Sequence, residues 1–174
     1  MFIQKIPVKA FLYLIIFSAL HFGYDLTGWS ILTPFCGIDE SIFQHLKMAF
    51  WAYLFASLIE YLVIQKRINA KASFWYARLL STIFVPWFVF LIWYLAPAIR
   101  GKTDSNIIEL LWAIFSSYLS GIFAGITEKT AERFEFNTSI RIVLIVFIII
   151  SAFLFIRFTY SLPWVDMFAN PESI

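Results

Sequence analysis

The sequence predicts an all-α polytopic membrane protein, a single bundle of five transmembrane helices spanning residues 1–174. The chain has 174 residues, 61% of them hydrophobic, and a mean hydropathy of +0.82. A soluble domain cannot bury that much apolar surface. Charged residues are only 14% of the chain. They leave five apolar segments, each of about the 20 residues that a helix needs to cross a bilayer.

The five predicted helices cover residues 8–26, 46–65, 78–98, 107–126 and 140–161. The first apolar run continues to Leu26 without a small-residue cleavage site, so we expect a retained helix rather than a signal peptide. Before the second helix, Ser41 and Gln44 have the spacing of a capping box, in which each side chain binds a backbone N–H group of the first turn.

The third, fourth and fifth helices are predicted from the length of their apolar segments. Two of the five helices also contain a pair of small residues four positions apart. The fourth contains Gly121-x-x-x-Gly125 and the second contains Ala52-x-x-x-Ala56. Small residues at this spacing let two helices approach closely. We expect this packing within the bundle, with a homodimer face at the glycine pair as the alternative.

Basic residues predict the orientation. Nine of the 13 lysines and arginines fall on one side of the five segments and four on the other: Lys5, Lys9, Lys66, Arg67, Lys71, Arg78, Lys129, Arg133 and Arg141 against Lys47, Arg100, Lys102 and Arg157. The basic side of a multi-pass protein is usually cytoplasmic. The sequence therefore predicts an N-in/C-out orientation.

Charge and cysteine content limit the partners. The formal net charge of +2 is too small to indicate nucleic-acid binding. Cys36 is the only cysteine, so neither an intrachain disulfide nor a cysteine-based metal site is expected. The expected partners are membrane lipid and a small molecule, with a homo-oligomer or accessory subunits as further alternatives.

The loop between the first two helices, residues 27–44, is the longest on the predicted outer side. Pro34, Cys36 and Gly37 favour irregular backbone there. Several apolar side chains accompany them, so a partly re-entrant loop is one interpretation.

Polar residues within apolar stretches gather on this same side. His21 and Asp25 are four residues apart on the first helix and therefore share a face. Asp25 could orient the imidazole of His21 or act as a catalytic base. The alternative is a structural hydrogen bond between the two that holds the helix to a neighbour.

His45 lies one turn into the second helix, at a depth comparable to that of Asp25. Together with His21, Asp25 and Glu40 it would offer two imidazoles and two carboxylates, a set that suits zinc, iron or manganese, with His21, Glu40 and His45 as the predicted ligands. Neither histidine belongs to a known metal motif such as H-E-x-x-H. A divalent metal is therefore a hypothesis, and the cofactor is otherwise unknown.

Five other residues complete the predicted ligand-binding pocket: Tyr24, Trp51, Glu109, Trp112 and Arg157. Glu109 lies in the first turn of the fourth helix, where it would also compensate the helix dipole. Arg157 lies near the outer end of the fifth helix and could instead snorkel to the headgroups. On the opposite side, Glu60 is expected to form an ion pair with Arg78 or Lys66.

Two stretches of the sequence resemble a family of small bacterial integral membrane proteins of unknown function. The first runs from His21-Phe22-Gly23-Tyr24 to Glu40-Ser41-Ile42-Phe43-Gln44-His45-Leu46-Lys47, and the second contains Phe158-Thr159, Pro163, Phe168 and Asn170-Pro171. Asp39, Phe43, Gln44 and Asn170 depart from that pattern, which favours Asn, Trp, Glu and Asp there. The resemblance implies a five-helix inner-membrane protein and draws attention to His21, Glu40 and His45.

Three functions fit these observations. The preferred hypothesis is an outward-facing polar and aromatic pocket that binds a small or lipid-like molecule, as part of a transport system. The first alternative is a membrane-embedded, metal-dependent hydrolase that uses His21, Glu40 and His45. The second alternative is a structural or accessory subunit of a membrane complex.

Overall fold

The computed structural model describes residues 5–68, 71–101 and 105–170, and five long α-helices dominate it. They are α1 (Ile6–Thr27), α2 (Ile42–Ile64), α3 (Lys71–Arg100), α4 (Asn106–Ala131) and α5 (Thr138–Tyr160). Each is long and apolar enough to cross a membrane, which confirms the five-helix prediction. Lys102 and Pro171 lie outside the described residues.

α3 and α4 extend furthest beyond the apolar segments that predicted them. α3 begins at Lys71 rather than at residue 78, and α4 ends at Ala131 rather than at residue 126. The apolar segments end where charged residues begin. In the added part of α4, Glu128 pairs with Arg78 of α3, so its charge is neutralised within the bundle.

α2 begins at Ile42 because Ser41 caps it. The Ser41 hydroxyl accepts a hydrogen bond from the backbone N–H of Gln44 at 3.4 Å. The reciprocal half of the predicted capping box is not formed, because both polar atoms of the buried Gln44 amide lack a hydrogen-bond partner among the described residues. Gln44 instead packs into the bundle with no exposed surface.

The helices pack in an order that differs from their order in the chain. α1 contacts α2 and α4, and α3 contacts α2, α4 and α5. The main core lies between α1, α2, α3 and α4, where Tyr13, Phe17, Met48, Tyr53 and Val85 are buried. α5 packs against α3 and is the least buried of the five helices, so its apolar surface is available to lipid.

The two glycines of α4 allow α1 to approach α4 closely. A Cβ atom at Gly121 would lie 2.8 Å from Cδ1 of Tyr13 and 3.1 Å from Cα of Ala10, and one at Gly125 would lie 2.7 Å from Cγ2 of Ile6. Glycine at both positions therefore leaves room for α1 beside α4. The small-residue pattern serves packing within the bundle, as expected from the sequence.

A buried cluster of five charged residues joins α1, α2, α3 and the end of α4. Lys9 binds Glu60 (Nζ–Oε2 2.7 Å) and Glu128, and Arg78 binds Glu60 (Nη2–Oε1 2.9 Å), Glu128 (3.1 Å) and Glu132. We call these five residues the ion-pair cluster. Lys9, Glu60, Arg78 and Glu128 have at most 4% of their side-chain surface exposed. The predicted pair of Glu60 with Arg78 is thus confirmed as part of a larger set.

Replacing Glu60 with glutamine should destabilise the fold. The substitution keeps the shape but removes one of the two fully buried carboxylates that face Lys9 and Arg78, and losing a hydrogen bond to a charged group in a dry environment typically costs about 1.5–3 kcal/mol. The free energy of unfolding in detergent micelles measures the effect. Arg133→Gln, at an exposed position of the same end, is the matched control. A Glu60→Gln protein as stable as this control would contradict the importance of the ion-pair cluster.

Gly121→Leu should separate α1 from α4. A leucine there overlaps Tyr13 and the backbone of Ala10, and overpacking of this kind costs about 2 kcal/mol. Thermal unfolding in detergent measures the loss, with Ala98→Leu at an exposed position of α3 as the control. If Gly121→Leu instead changed only the oligomeric state, the homodimer alternative would be correct.

Candidate functional site

The loop after α1 folds back against the ends of α1 and α2. The backbone N–H of Gly37 donates to the carbonyl of Leu20 at 3.2 Å. A Cβ atom at Gly37 would lie 3.0 Å from Sδ of Met48, and one at Gly23 would lie 3.0 Å from Sγ of Cys36. Glycine at positions 23 and 37 therefore lets the loop lie between the two helices, and this brings Glu40 to them.

Lys47 fixes the loop from the other side. Its buried ammonium group donates to the carbonyl oxygen of Thr33 at 2.9 Å and to Oγ1 of Thr159 at 3.2 Å. Phe168 in the tail covers the same region, with its ring 4.7 Å from that of Phe43. The two stretches that carry the family resemblance therefore meet in space.

Three predicted metal ligands converge at this end of the bundle. Oε2 of Glu40 lies 3.5 Å from Nε2 of His45 and 3.7 Å from Nε2 of His21. One ligand atom from each residue lies within 4.8 Å of the others. We call these three residues the His–Glu cluster. α1 supplies His21, α2 supplies His45, and the folded loop supplies Glu40.

The ring of His45 is fixed in the orientation that a metal ligand needs. Its Nδ1 lies 2.9 Å from the backbone carbonyl oxygen of Ser41, one turn earlier in α2. Because a carbonyl only accepts, Nδ1–H is the donor, and Nε2, which faces Glu40, is the nitrogen that a metal would bind. Histidines that bind metals commonly make this second hydrogen bond.

The ring of His21 is less completely held. Its buried Nδ1 has no hydrogen-bond partner among the described residues. The hydrogen bond that the sequence predicted from Asp25 is therefore not formed, although Asp25 lies on the wall of the adjoining cavity. Contacts with the rings of Phe17, Phe22 and His45 position the imidazole instead.

Two of the three spacings within the His–Glu cluster approach those around a tetrahedral metal. Ligand bonds of about 2.0–2.1 Å to zinc place neighbouring ligand atoms about 3.4 Å apart. Both distances from Glu40 to the histidines are close to this value. Two imidazoles and one carboxylate leave at least one coordination position for water or a ligand, as in catalytic zinc sites and non-haem iron sites.

A cavity of about 220 Å³ adjoins the His–Glu cluster, and its walls are mainly polar. It offers a small polar molecule access to the cluster. The lining residues are His21, Asp25, Gly37, Ile38, Asp39, Glu40, Met48 and Asn170.

The aromatic residues predicted for the pocket have other contacts. Trp51 packs among Phe35, Phe50 and Phe55, at the side of α2 that faces the loop. Trp112 donates its indole N–H to the carbonyl oxygen of Trp93 at 3.0 Å and thereby joins α4 to α3. The structure thus places these rings in helix packing.

The other three predicted site residues lie in or near helix ends. Tyr24 is half-buried in the last turn of α1, where its carbonyl accepts from the N–H of Gly28. Glu109 is exposed in the first turn of α4, and Arg157 is exposed in the last turn of α5. These positions suit dipole compensation and snorkelling, the simpler alternatives considered from the sequence.

Sequence reasoning missed the loop and tail residues that line the cavity. Asp39 and Asn170 departed from the resembled pattern, and Gly37 was noted only for its backbone. Because these residues reach the cavity through loop and tail folding, helical spacing gives no signal for them. Their clustering within the two resembled stretches was the available clue.

The fold and the site together define a small bundle of five potentially membrane-spanning helices, with two histidines and a glutamate clustered at one end. The chain belongs to the family described as "Family of unknown function (DUF6512)", whose model matches residues 2–173. This confirms the resemblance to an uncharacterised family. Searches of curated proteins and of solved structures find no match.

Cys36 should react slowly with thiol reagents while the protein is folded. Burial raises the pKa of the Cys36 thiol, so less of the reactive thiolate is present, and the side chain packs against Gly23. We expect maleimide labelling at least about tenfold slower than after unfolding. The control is Ser30→Cys in a Cys36→Ser background, at an exposed loop position. Equal labelling rates for the two proteins would show that the loop is not packed as described.

Proposed function

We propose that this protein binds one divalent transition-metal ion through His21, Glu40 and His45 and presents it to a small polar ligand in the adjoining cavity. The convergence of the three ligand atoms within 4.8 Å supports the proposal. The hydrogen bond from Nδ1 of His45 to Ser41 supports it further, because that bond leaves Nε2 available to the metal.

The cavity favours a polar ligand over the lipid-like one considered from the sequence. Its lining combines the carboxylates of Asp25, Asp39 and Glu40 with the amide of Asn170. A ligand that supplies an oxygen or nitrogen atom would complete the coordination of the metal. Capture of such a ligand for a transport system remains the preferred role.

Metal-assisted hydrolysis is the second candidate, and the position of Asp25 favours it. This carboxylate lies on the wall of the same cavity as His21 and Glu40. A metal lowers the pKa of bound water, and a nearby carboxylate can accept the proton that the water releases. In this role Asp25 acts as the general base rather than as a ligand.

The proposed location is the bacterial inner membrane, with the N terminus in the cytoplasm and the His–Glu cluster facing outward. The excess of basic residues on the side that contains Lys66, Arg67 and Lys129 supports this orientation. The cluster then meets ligands before they enter the cell.

Elemental analysis of the purified protein tests the proposal. After incubation with zinc, iron or manganese and removal of free metal, the wild type should retain about one ion per chain, whereas His45→Ala and Glu40→Gln should each retain less than about a tenth of that. Binding should weaken as the pH is lowered, because protons compete with the metal for imidazole.

Asp25→Asn is the matched control. It changes a carboxylate on the cavity wall outside the His–Glu cluster, so it should keep the metal. Thermal unfolding of every variant without metal shows whether the fold is intact. Metal retained by folded His45→Ala protein, or absent from folded wild type, would contradict the proposal.

A further inference from the structure

A second cavity, of about 230 Å³, lies at the opposite end of α2 from the His–Glu cluster. The ends of α2 and α4 and the beginning of α3 surround it. Its lining residues are Ile64, Arg67, Ile68, Ser73, Phe74, Arg78, Lys129 and Glu132. We call it the basic cavity.

Two cations that line the basic cavity, Arg67 and Lys129, lie outside the ion-pair cluster. The charge of Arg78 is already balanced by Glu60, Glu128 and Glu132. Arg78 is 1% exposed and is held by the carboxylates of the ion-pair cluster, so it forms a fixed floor. The Lys129–Glu132 pair is long, at 3.6 Å, and partly exposed, so it is weak and a stronger anion can compete for Lys129.

The start of α3 adds hydrogen-bond donors to the same cavity. Ser73 and Phe74 lie in the first turn of α3, where backbone N–H groups have no acceptor within the helix. That turn contains no acidic residue to compensate the positive end of the helix dipole. An anion in the cavity would therefore meet positive potential from α3 as well as from the side chains.

The depth and the walls of the cavity indicate where such an anion comes from. The candidate span of α2 ends at Arg67 and that of α3 begins at Ala72, so the cavity lies at the level where lipid headgroups begin. Ile64, Ile68 and Phe74 form an apolar wall beside the cations. Basic pockets between helices at this depth suit anionic lipid headgroups.

We propose that the basic cavity binds the phosphate group of an anionic phospholipid, with the phosphate between Arg67 and Lys129 and the start of an acyl chain against Ile64 and Ile68. The site is separate from the His–Glu cluster and does not depend on metal binding. A lipid there would bridge α2, α3 and α4 and stabilise their contacts.

Thermal unfolding in a neutral detergent tests this site with three additions: phosphatidylglycerol, phosphatidylcholine and inorganic phosphate. At about ten times its Kd, phosphatidylglycerol should raise the midpoint of the wild type by about 3–5 °C, and phosphatidylcholine should have little effect. Arg67→Gln and Lys129→Gln should each lose most of this shift. Both side chains are outside the buried core, so the variants should fold.

Lys66→Gln is the matched control, because Lys66 is adjacent to Arg67 but does not line the cavity. It should keep the full shift. A shift that Lys66→Gln loses as strongly as Arg67→Gln would show general attraction to a charged micelle and would overturn the proposal. A shift with inorganic phosphate alone would reject the lipid and identify a soluble phosphate compound. No shift with any addition would also overturn the proposal.

Discussion

The ion-pair cluster is the constraint on which the rest of the bundle depends. A charge in a dry, apolar interior is tolerated only where an opposite charge meets it. Lys9, Glu60, Arg78 and Glu128 come from four different helices, so each helix must take the depth and rotation that bring its charge to the others. The hydrophobic effect adds little to helix association in lipid, because lipid is as apolar as the helix surface, so close contacts such as those at Gly121 and Gly125 supplement the ion pairs.

This register extends along α1 to the other end of the bundle. Lys9, Tyr13, Phe17, His21 and Asp25 are spaced four residues apart and form one ridge that winds gradually around α1. When Lys9 lies between Glu60 and Glu128, the same ridge places the ring of His21 5.3 Å from that of His45. The two polar ends are therefore linked through rigid helix geometry, and a slip of α1 at one end would misalign the histidines at the other.

The predictable parts of the molecule are those that depend on spacing along a helix. Apolar length identified all five helices, and the positions of Glu60 and Arg78 indicated their pairing. Glu128 was missed because it lies past the apolar segment that defined the fourth helix.

The residues of the His–Glu cluster were identified by type, but their convergence could not be predicted. It depends on a loop held by Gly23, Gly37 and Lys47, for which no periodic signal exists. Trp51 and Trp112 were assigned to a pocket because composition does not distinguish a ring that lines a cavity from one that packs between helices.

Phe17 separates the two polar ends. Its ring lies 6.1 Å from that of Tyr13 on one side and 6.4 Å from that of His21 on the other, within a layer of buried aliphatic and aromatic side chains. In a bilayer, an ion that passed from the His–Glu cluster to the ion-pair cluster would have to cross this layer and give up its hydration there. The layer therefore keeps ions that reach one end of the bundle from reaching the charges at the other.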